Sequence, residues 1–331
     1  MSYNIALINQ ADILSVNAEN FENIALSVFH HQYRHNDIYG RYCRALHIDE
    51  AAVDRMDKIP FLPISFFKTH RVMTGDVPNA ELIFESSGTT GETPSRHYIA
   101  DAGMYEASLL QGFEQFYGDP GKYTILALLP SYLERKNASL VHMARVLMEK
   151  SNKPGNGFYI NEWEKLRTVL QQLEHDGSKT LLLGVTFALL DFAAAYPMDL
   201  KNTIVMETGG MKGRREEWTR LQVHDYLKQQ WQLSNVHSEY GMTELLSQAY
   251  ARANGIFECT NTMNVFIRDI NDPFDIRKQG TGALNIIDLA NVNSCSFIAT
   301  EDIGTISRDG TFEVSGRLDH SALRGCSLMV I

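Results

Sequence analysis

Leu82-Ile83-Phe84-Glu85-Ser86-Ser87-Gly88-Thr89-Thr90-Gly91 joins two kinds of segment. Three large apolar residues read as a short strand. The six small residues that end the stretch, four of them hydroxylated, read as a loop with little side-chain bulk. Such a loop can wrap a polyphosphate with backbone N–H and hydroxyl donors. A Ser/Thr/Gly-rich surface turn has the same composition, so the stretch by itself leaves both readings open. It is not the usual nucleotide P-loop, because Gly88 has no Gly-Lys-Ser/Thr five residues on.

Outward from this loop, short apolar runs alternate with helical patterns from about residue 80 to 240. Residues 82–84, 124–129, 180–183 and 203–206 read as strands, and Leu140, Met143, Ala144 and Leu147 mark one helical face. Strands alternating with helices predict βαβ units and a sheet covered by helices. The longest apolar stretch, 180–196, is interrupted by Asp191 and falls short of the ~20 residues a membrane span needs. It reads as a buried strand followed by a packed helix. Upstream, Phe21, Ile24, Ala25, Val28 and Phe29 fall on one face of an amphipathic helix over 17–33. The prolines of Ile59-Pro60-Phe61-Leu62-Pro63 then break regular structure. After residue 245 the runs 263–267, 283–287, 295–299 and 312–314 are separated by Gly, Asp and Asn, which reads as β-rich and turn-rich. The expectation is an α/β protein: a body over 1–245 carrying the loop, and a smaller β-rich part over 246–331, closely packed together.

The 331 residues suit about two domains at ~150 residues each. With 44% hydrophobic and 21% charged residues the chain reads as globular rather than disordered. Thirty basic residues against 40 acidic ones argue against a dedicated nucleic-acid binder, whose footprint is a basic face. No basic region followed by an apolar run opens the chain, so a cytoplasmic location without a signal peptide is expected. Cys43, Cys259, Cys295 and Cys326 form no CxxC pair and read mainly as reduced, buried thiols.

Three further motifs follow the loop. In His237-Ser238-Glu239-Tyr240-Gly241-Met242-Thr243-Glu244, the glycine beside an aromatic allows a flat ligand close to the backbone. Thr243 adds a hydroxyl, and Glu244 adds a hard oxygen suited to Mg2+. A plain strand-to-helix connection would read the same. In Ala299-Thr300-Glu301-Asp302-Ile303-Gly304, Asp302 can accept both hydroxyls of a ribose. Twelve residues after Gly304 comes Gly316-Arg317-Leu318-Asp319, whose Arg317 can pair with phosphate or ribose oxygens. Each of these could also be a charged turn between strands.

Their order and spacing are more specific than any one of them. Together they resemble the adenylate-forming superfamily of acyl-CoA synthetases, luciferase-type ligases and peptide-synthetase adenylation domains. The resemblance covers roughly residues 80–331. It implies the large N-terminal-type domain of those enzymes, with helix-covered sheets and a smaller β-rich subdomain. It also implies ATP and Mg2+. The phosphate loop would be Ser86, Ser87, Gly88, Thr89, Thr90 and Gly91. Gly209 and Gly210 of Glu207-Thr208-Gly209-Gly210 would lie beside adenine, and Tyr240 and Gly241 would line the nucleotide. Thr243 would hold the α-phosphate, Glu244 the magnesium, and Asp302 and Arg317 the ribose. Two departures stand out. The family's loop closes with Pro-Lys, whereas here Gly91-Glu92-Thr93-Pro94-Ser95-Arg96 leaves Arg96 as the candidate cation. The chain ends 12 residues after Asp319, so the small C-terminal domain and its lysine are expected to be absent.

A narrower branch has this short form. Ile59-Pro60-Phe61-Leu62-Pro63-Ile64-Ser65-Phe66-Phe67-Lys68, the Ser95-Arg96-His97 after the loop, Met211-Lys212-Gly213 after Gly210, and Arg324-Gly325-Cys326-Ser327-Leu328-Met329 resemble the acyl-protein synthetase of the bacterial luminescence fatty-acid reductase complex. That resemblance begins at about residue 59. It implies activation of a fatty acid to an acyl-adenylate and transfer to a cysteine near the C-terminus as a thioester. Cys326, five residues from the end, matches that position. From there the acyl group would pass to an acceptor protein, a reductase or carrier. The alternatives are an AMP-forming acyl- or aryl-CoA or carrier-protein ligase, and a nucleotide-binding module without turnover. Among lesser candidates, His31 and His35 sit four apart without a third metal ligand nearby. His142 reads as helix surface, His237 as a strand histidine or a base, and Trp163, Trp218 and Trp231 as packing residues.

Overall fold

The apolar run at 180–196 folds as a buried strand, Thr180–Val185, that enters a helix, Thr186–Ala195, without a connecting loop. In the computed structural model, which describes residues 8–86, 93–129, 137–209 and 218–318, this strand lies inside a seven-stranded sheet. Thr124–Leu128 and Thr203–Thr208 flank it in parallel. Gly157–Phe158 and His237–Tyr240 add parallel strands outside those two. Ala249–Ala251 and Glu258–Cys259 close one edge in antiparallel fashion. Every residue of Thr124–Leu128 and of Thr180–Val185 is buried, as expected of parallel strands covered on both faces.

The covering helices include Ala102–Tyr117, Ser139–Ser151, Trp163–His175, Thr186–Ala195 and Arg220–Trp231. Their packing is apolar: Leu126, Leu182, Val205, Leu227 and Trp231 belong to one buried cluster. Local chemistry sets the ends. Asp101 accepts from the Met104 N–H at the start of Ala102–Tyr117, and Gly118 ends that helix at φ 72°. Thr219 and Gln222 form a reciprocal capping box at the start of Arg220–Trp231.

A second, six-stranded sheet holds Leu62–Pro63, Phe297–Ile306, Gly280–Asp288, Met263–Arg268, Ile276–Arg277 and Phe312–Arg317. It is antiparallel except where Leu62–Pro63 runs alongside Phe297–Ile306. The proline-broken stretch therefore contributes one short strand, its Pro63 paired opposite Ala299. Phe29 of the helix Phe21–His35 and Tyr39 of Asp37–Ala45 pack against Phe297 of this sheet. The first helix starts four residues later than the pattern over 17–33 suggests. The reason is local: the Asn17 N–H bonds the Asn20 side chain and the Glu19 N–H bonds the Asn17 side chain, which folds 17–20 as a turn. The sheets interleave along the sequence, since Leu62–Pro63 joins the second while Ala249–Ala251 and Glu258–Cys259 join the first.

Cys43 and Cys295 are buried and Cys259 half-buried, all three as free thiols. Burial pushes Cys43 and Cys259 up to about 12, so both stay protonated and unreactive near neutrality. Among the described residues, no helix is long and apolar enough to cross a membrane.

Candidate active site

The loop motif hangs from a two-stranded hairpin. Leu82–Glu85 pairs antiparallel with Arg96–Ile99, Glu85 opposite Arg96. The neck above this pair is closed by backbone: the Ser86 N–H donates to the Ser95 carbonyl at 3.0 Å, and the Ser95 N–H donates to Ser86 Oγ at 2.9 Å. Ser87, Gly88, Thr89, Thr90 and Gly91 lie outside the described residues. Arg96 Nε donates to Glu85 Oε1 at 2.9 Å, which raises the guanidinium's pKa. Its charge is therefore engaged at the neck, in an exposed ion pair.

The second motif starts on His237–Tyr240, the parallel strand next to the antiparallel edge, and leaves it after Tyr240. A Cβ at Gly241 would meet the Glu239 carboxyl, so the glycine lets the backbone lie close over that side chain. The Thr243 carbonyl lies 3.0 Å from His97 Nδ1, on the hairpin strand that follows the loop. Glu244 is 5% exposed, and the Asn291 side-chain amide donates to its backbone carbonyl at 2.8 Å. Burial pushes the Glu244 carboxyl up. The nearby Ser95 hydroxyl and Arg317 charge pull it down, and the Asp302 charge adds to the rise. Glu244 thus lies between the loop neck on one side and Asp302 and Arg317 on the other.

Those residues form a compact cluster. Tyr240 Oη donates to Asp302 Oδ2 at 2.7 Å, and Arg317 Nε donates to Asp302 Oδ1 at 3.0 Å. Asp302 and Arg317 are direct cross-strand partners, which places the guanidinium over the carboxylate. Asp302 is 6% exposed, whereas the Arg317 side chain is 69% exposed. Burial and the Asp302 charge hold the Tyr240 phenol well above its ordinary range, so it stays a donor.

The glycines expected beside adenine follow the strand Thr203–Thr208. Gly209 adopts φ 70° and its carbonyl accepts from Thr186 Oγ1 at 3.0 Å, while Gly210 lies outside the described residues. Just before them sits a hub that sequence reasoning missed. Glu207, 4% exposed, accepts from Thr186 Oγ1 at 2.8 Å, Ser238 Oγ at 2.9 Å and Arg220 Nε at 3.1 Å, with His224 Nε2 at 3.6 Å. Arg220 also donates to the Val314 carbonyl at 3.1 Å, tying the first sheet to the strand that carries Arg317. The available signal was a carboxylate near the end of an otherwise apolar strand.

Glu239, beneath Gly241, is a second buried carboxyl that was missed. Burial pushes it up to about 7, against the Thr208 hydroxyl bond and with the help of the Glu207 charge. A raised carboxyl pKa favours the protonated folded state. Its contribution is therefore full below the ordinary value of 4.5 and is lost as pH rises through about 7. Against Glu239→Gln, which stays neutral, the native chain should lose up to about 3 kcal/mol of relative stability across that range. Urea unfolding of both proteins at about pH 5 and about pH 8 measures the difference, and equal stability gaps at the two pH values refute it.

Other candidates resolve differently. His142 is not simple helix surface: its Nε2 lies 3.2 Å from Glu106 and its ring packs against Phe84 and Tyr105. His237 Nδ1 lies 3.2 Å from Tyr117 Oη, and burial lowers the imidazole to about 4. The His31 and His35 rings are 4.9 Å apart, but among the described residues no group of three or more His, Cys, Asp or Glu could hold a metal. Trp231 is fully buried, while Trp218 is 36% exposed. Cys326 lies outside the described residues.

Comparison with known proteins adds two layers. Residues 6–99 match the family described as acyl-protein synthetase, LuxE, so the match begins well upstream of residue 59. A long-chain-fatty-acid–luciferin-component ligase from Photorhabdus luminescens is 37% identical over 70 residues. That stretch is 21% of this chain and spans 60% of the relative's length. The fold is similar to 2-hydroxyisobutyryl-CoA ligase in an open conformation with 2-HIB-AMP and CoA, at TM-score 0.67 and 10% identity over 96% of this chain and 80% of that one. It is also similar to ATP-bound MatB from Rhodopseudomonas palustris, at TM-score 0.54 and 15% identity over 74% and 50% of the two chains. The chain thus has the mixed α/β fold of the N-terminal domain of adenylate-forming ligases, as its motifs led one to expect.

Proposed function

We propose that this chain activates a carboxylic acid, a fatty acid, with ATP and passes the acyl group to a protein cysteine thiol. One observation carries the reading: segments far apart in sequence converge. Ser95 at the loop neck lies beside Glu244, Asp302 and Arg317 lie near it on the other side, and Tyr240 and Arg317 both bond Asp302. The match of residues 6–99 to the acyl-protein synthetase family supports the acyl-transfer half.

A carboxylate resists a thiol because oxide is a poor leaving group. In the first step a carboxylate oxygen bonds the α-phosphorus of ATP, and the bond to pyrophosphate breaks. In the second, a thiolate sulfur bonds the acyl carbon, and AMP departs with the electron pair of the broken C–O bond. The loop at 86–91 would hold the β- and γ-phosphates and Thr243 the α-phosphate. Asp302 uses two of its lone pairs on Tyr240 and Arg317, so others are free to accept from ribose hydroxyls. The Gly209 and Gly210 backbone would flank adenine. A buried carboxyl pushed up by desolvation is the kind of group a hard dication stabilises, so Glu244 fits Mg2+. When bound, that ion would offset negative charge building on the phosphates. Cys326 is the thiol we assign as acceptor, and the acyl group would move on to a reductase or carrier protein. The division of the chain near residue 245 is retained as part of this proposal.

Incubation with Mg-ATP and a medium- or long-chain fatty acid should release pyrophosphate and add one acyl mass, lost in Cys326→Ser, to the intact protein. Pyrophosphate without a mass gain would move the acceptor to an external thiol. Neither product across a panel of acids would overturn the ligase reading.

A further inference from the structure

The segment from Gly241 to Gln248 carries Thr243 and Glu244, yet it has neither helix nor strand. Its backbone is therefore not held by a ladder of its own, and its polar groups must find other partners. Three buried side chains supply them. The imidazole of His97 meets the Thr243 carbonyl at 3.0 Å. The amide of Asn291 donates to the next carbonyl, Glu244, at 2.8 Å. The carboxylate of Asp288 accepts from the Leu246 and Ser247 N–H groups at 2.7 and 3.0 Å and from Ser247 Oγ at 2.6 Å. All three side chains belong to fully buried residues.

The geometry points to His97 as a positioning residue that holds the Thr243–Glu244 backbone in register with the phosphate loop. A carbonyl can only accept, so Nδ1 carries the hydrogen and the tautomer is set. The edge-to-face contact with Phe67, ring centroids 5.5 Å apart, fixes the ring's orientation. The other ring nitrogen lies beside the Asn291 side chain, which reaches the neighbouring carbonyl. Burial lowers the imidazole to about 4, so it serves as a neutral donor. His97 sits two residues beyond Ser95, the residue that closes the loop neck and lies beside Glu244. Asp288 ends the strand Gly280–Asp288, and Asn291 lies in the connection from it to Phe297–Ile306, the strand of Asp302. One clamp therefore ties the loop, the Thr-Glu turn and the ribose strand together.

The catalytic consequence rests on the proposed ligase reading; the clamp itself does not. His97→Leu keeps much of the volume and removes the donor. His97→Asn places an amide N–H at the same distance from Cβ as Nδ1, and His97→Gln places it one atom farther. In hydrogen exchange, the protected Leu245, Leu246 and Ser247 amides of His97→Leu should exchange about tenfold faster or more, while strands Thr124–Leu128 and Thr180–Val185 are unchanged. His97→Asn should restore protection. In ATP–pyrophosphate exchange, kcat of His97→Leu should fall about a hundredfold with KM for ATP little changed, and His97→Asn should recover most of it. A folded His97→Leu protein with native exchange at these amides and native kcat would overturn the inference. If that variant fails to fold, equal protection in His97→Asn and His97→Gln overturns it instead. Absence of pyrophosphate exchange by the native chain with every acid would count against the ligase reading alone, and amide exchange would still decide the clamp.

Discussion

Glu207→Ala is expected to cost roughly 3–5 kcal/mol of stability, the range for removing one partner of a buried charge pair. A fall in melting temperature of roughly 4–7 °C should accompany it. The loss arises because three donors, Thr186, Ser238 and Arg220, share this buried carboxylate, with His224 at 3.6 Å. Thr186 would keep the Gly209 carbonyl and Arg220 the Val314 carbonyl, but Ser238 and His224 would be left to each other and the Arg220 charge would lose its counter-charge. Burial alone would raise the Glu207 pKa, but the nearby His224 imidazole and the Arg220 charge outweigh it, and the carboxyl is held below its ordinary 4.5. A depressed carboxyl pKa contributes stability above the unfolded value, and that contribution fades as pH falls through the folded one. Glu207→Gln, which keeps an acceptor oxygen, should lose less than Glu207→Ala. Its deficit against the native chain should shrink as pH drops below about 4.5. Thermal unfolding of the native chain and both variants at neutral and acid pH checks this. Equal stability of Glu207→Ala and the native chain would show that the hub is not a net stabiliser.

Asp302→Ala should lower kcat/KM for ATP by about a hundredfold or more. In the proposed function, each hydrogen bond from a ribose hydroxyl to the carboxylate would contribute ~1.5–3 kcal/mol on the scale for charged acceptors, and the substitution would remove both. The substitution also leaves the buried Tyr240 hydroxyl without its acceptor and frees Arg317 from its cross-strand anchor. Tyr240→Phe separates these effects. It removes the phenol while keeping the carboxylate, and should cost no more than about tenfold, the worth of one ordinary hydrogen bond. Pyrophosphate exchange at varied ATP measures both. Unchanged kcat/KM in Asp302→Ala would remove this residue from the nucleotide site.

Much of the architecture was legible because it follows from short-range patterns. The runs at 124–129, 180–183 and 203–206 become parallel neighbours, since continuous apolar segments bounded by turns can only be buried on both faces. The helix near the N-terminus was placed correctly but started four residues early, because asparagine side chains compete for the backbone at 17–20. His142 differs from plain helix surface because helical spacing does not reveal which neighbours lean over a helix, and here Phe84 and Tyr105 do.

The sequence by itself determined the small-residue loop after a strand, the alternation of strands and helices, and the residue types able to meet ribose, phosphate and magnesium. These depend on local sterics and on side-chain chemistry, which a linear string carries. Only the tertiary structure decided which of them meet. The pairing of Asp302 with Arg317 depends on strand register. The contact of Glu244 with the loop neck depends on how a hairpin packs against a turn more than a hundred residues away. The buried groups that hold the site, Glu207, Glu239, Asp288, Asn291 and His97, were unreadable because each is ordinary in sequence. It becomes consequential only when desolvation makes its partners obligatory.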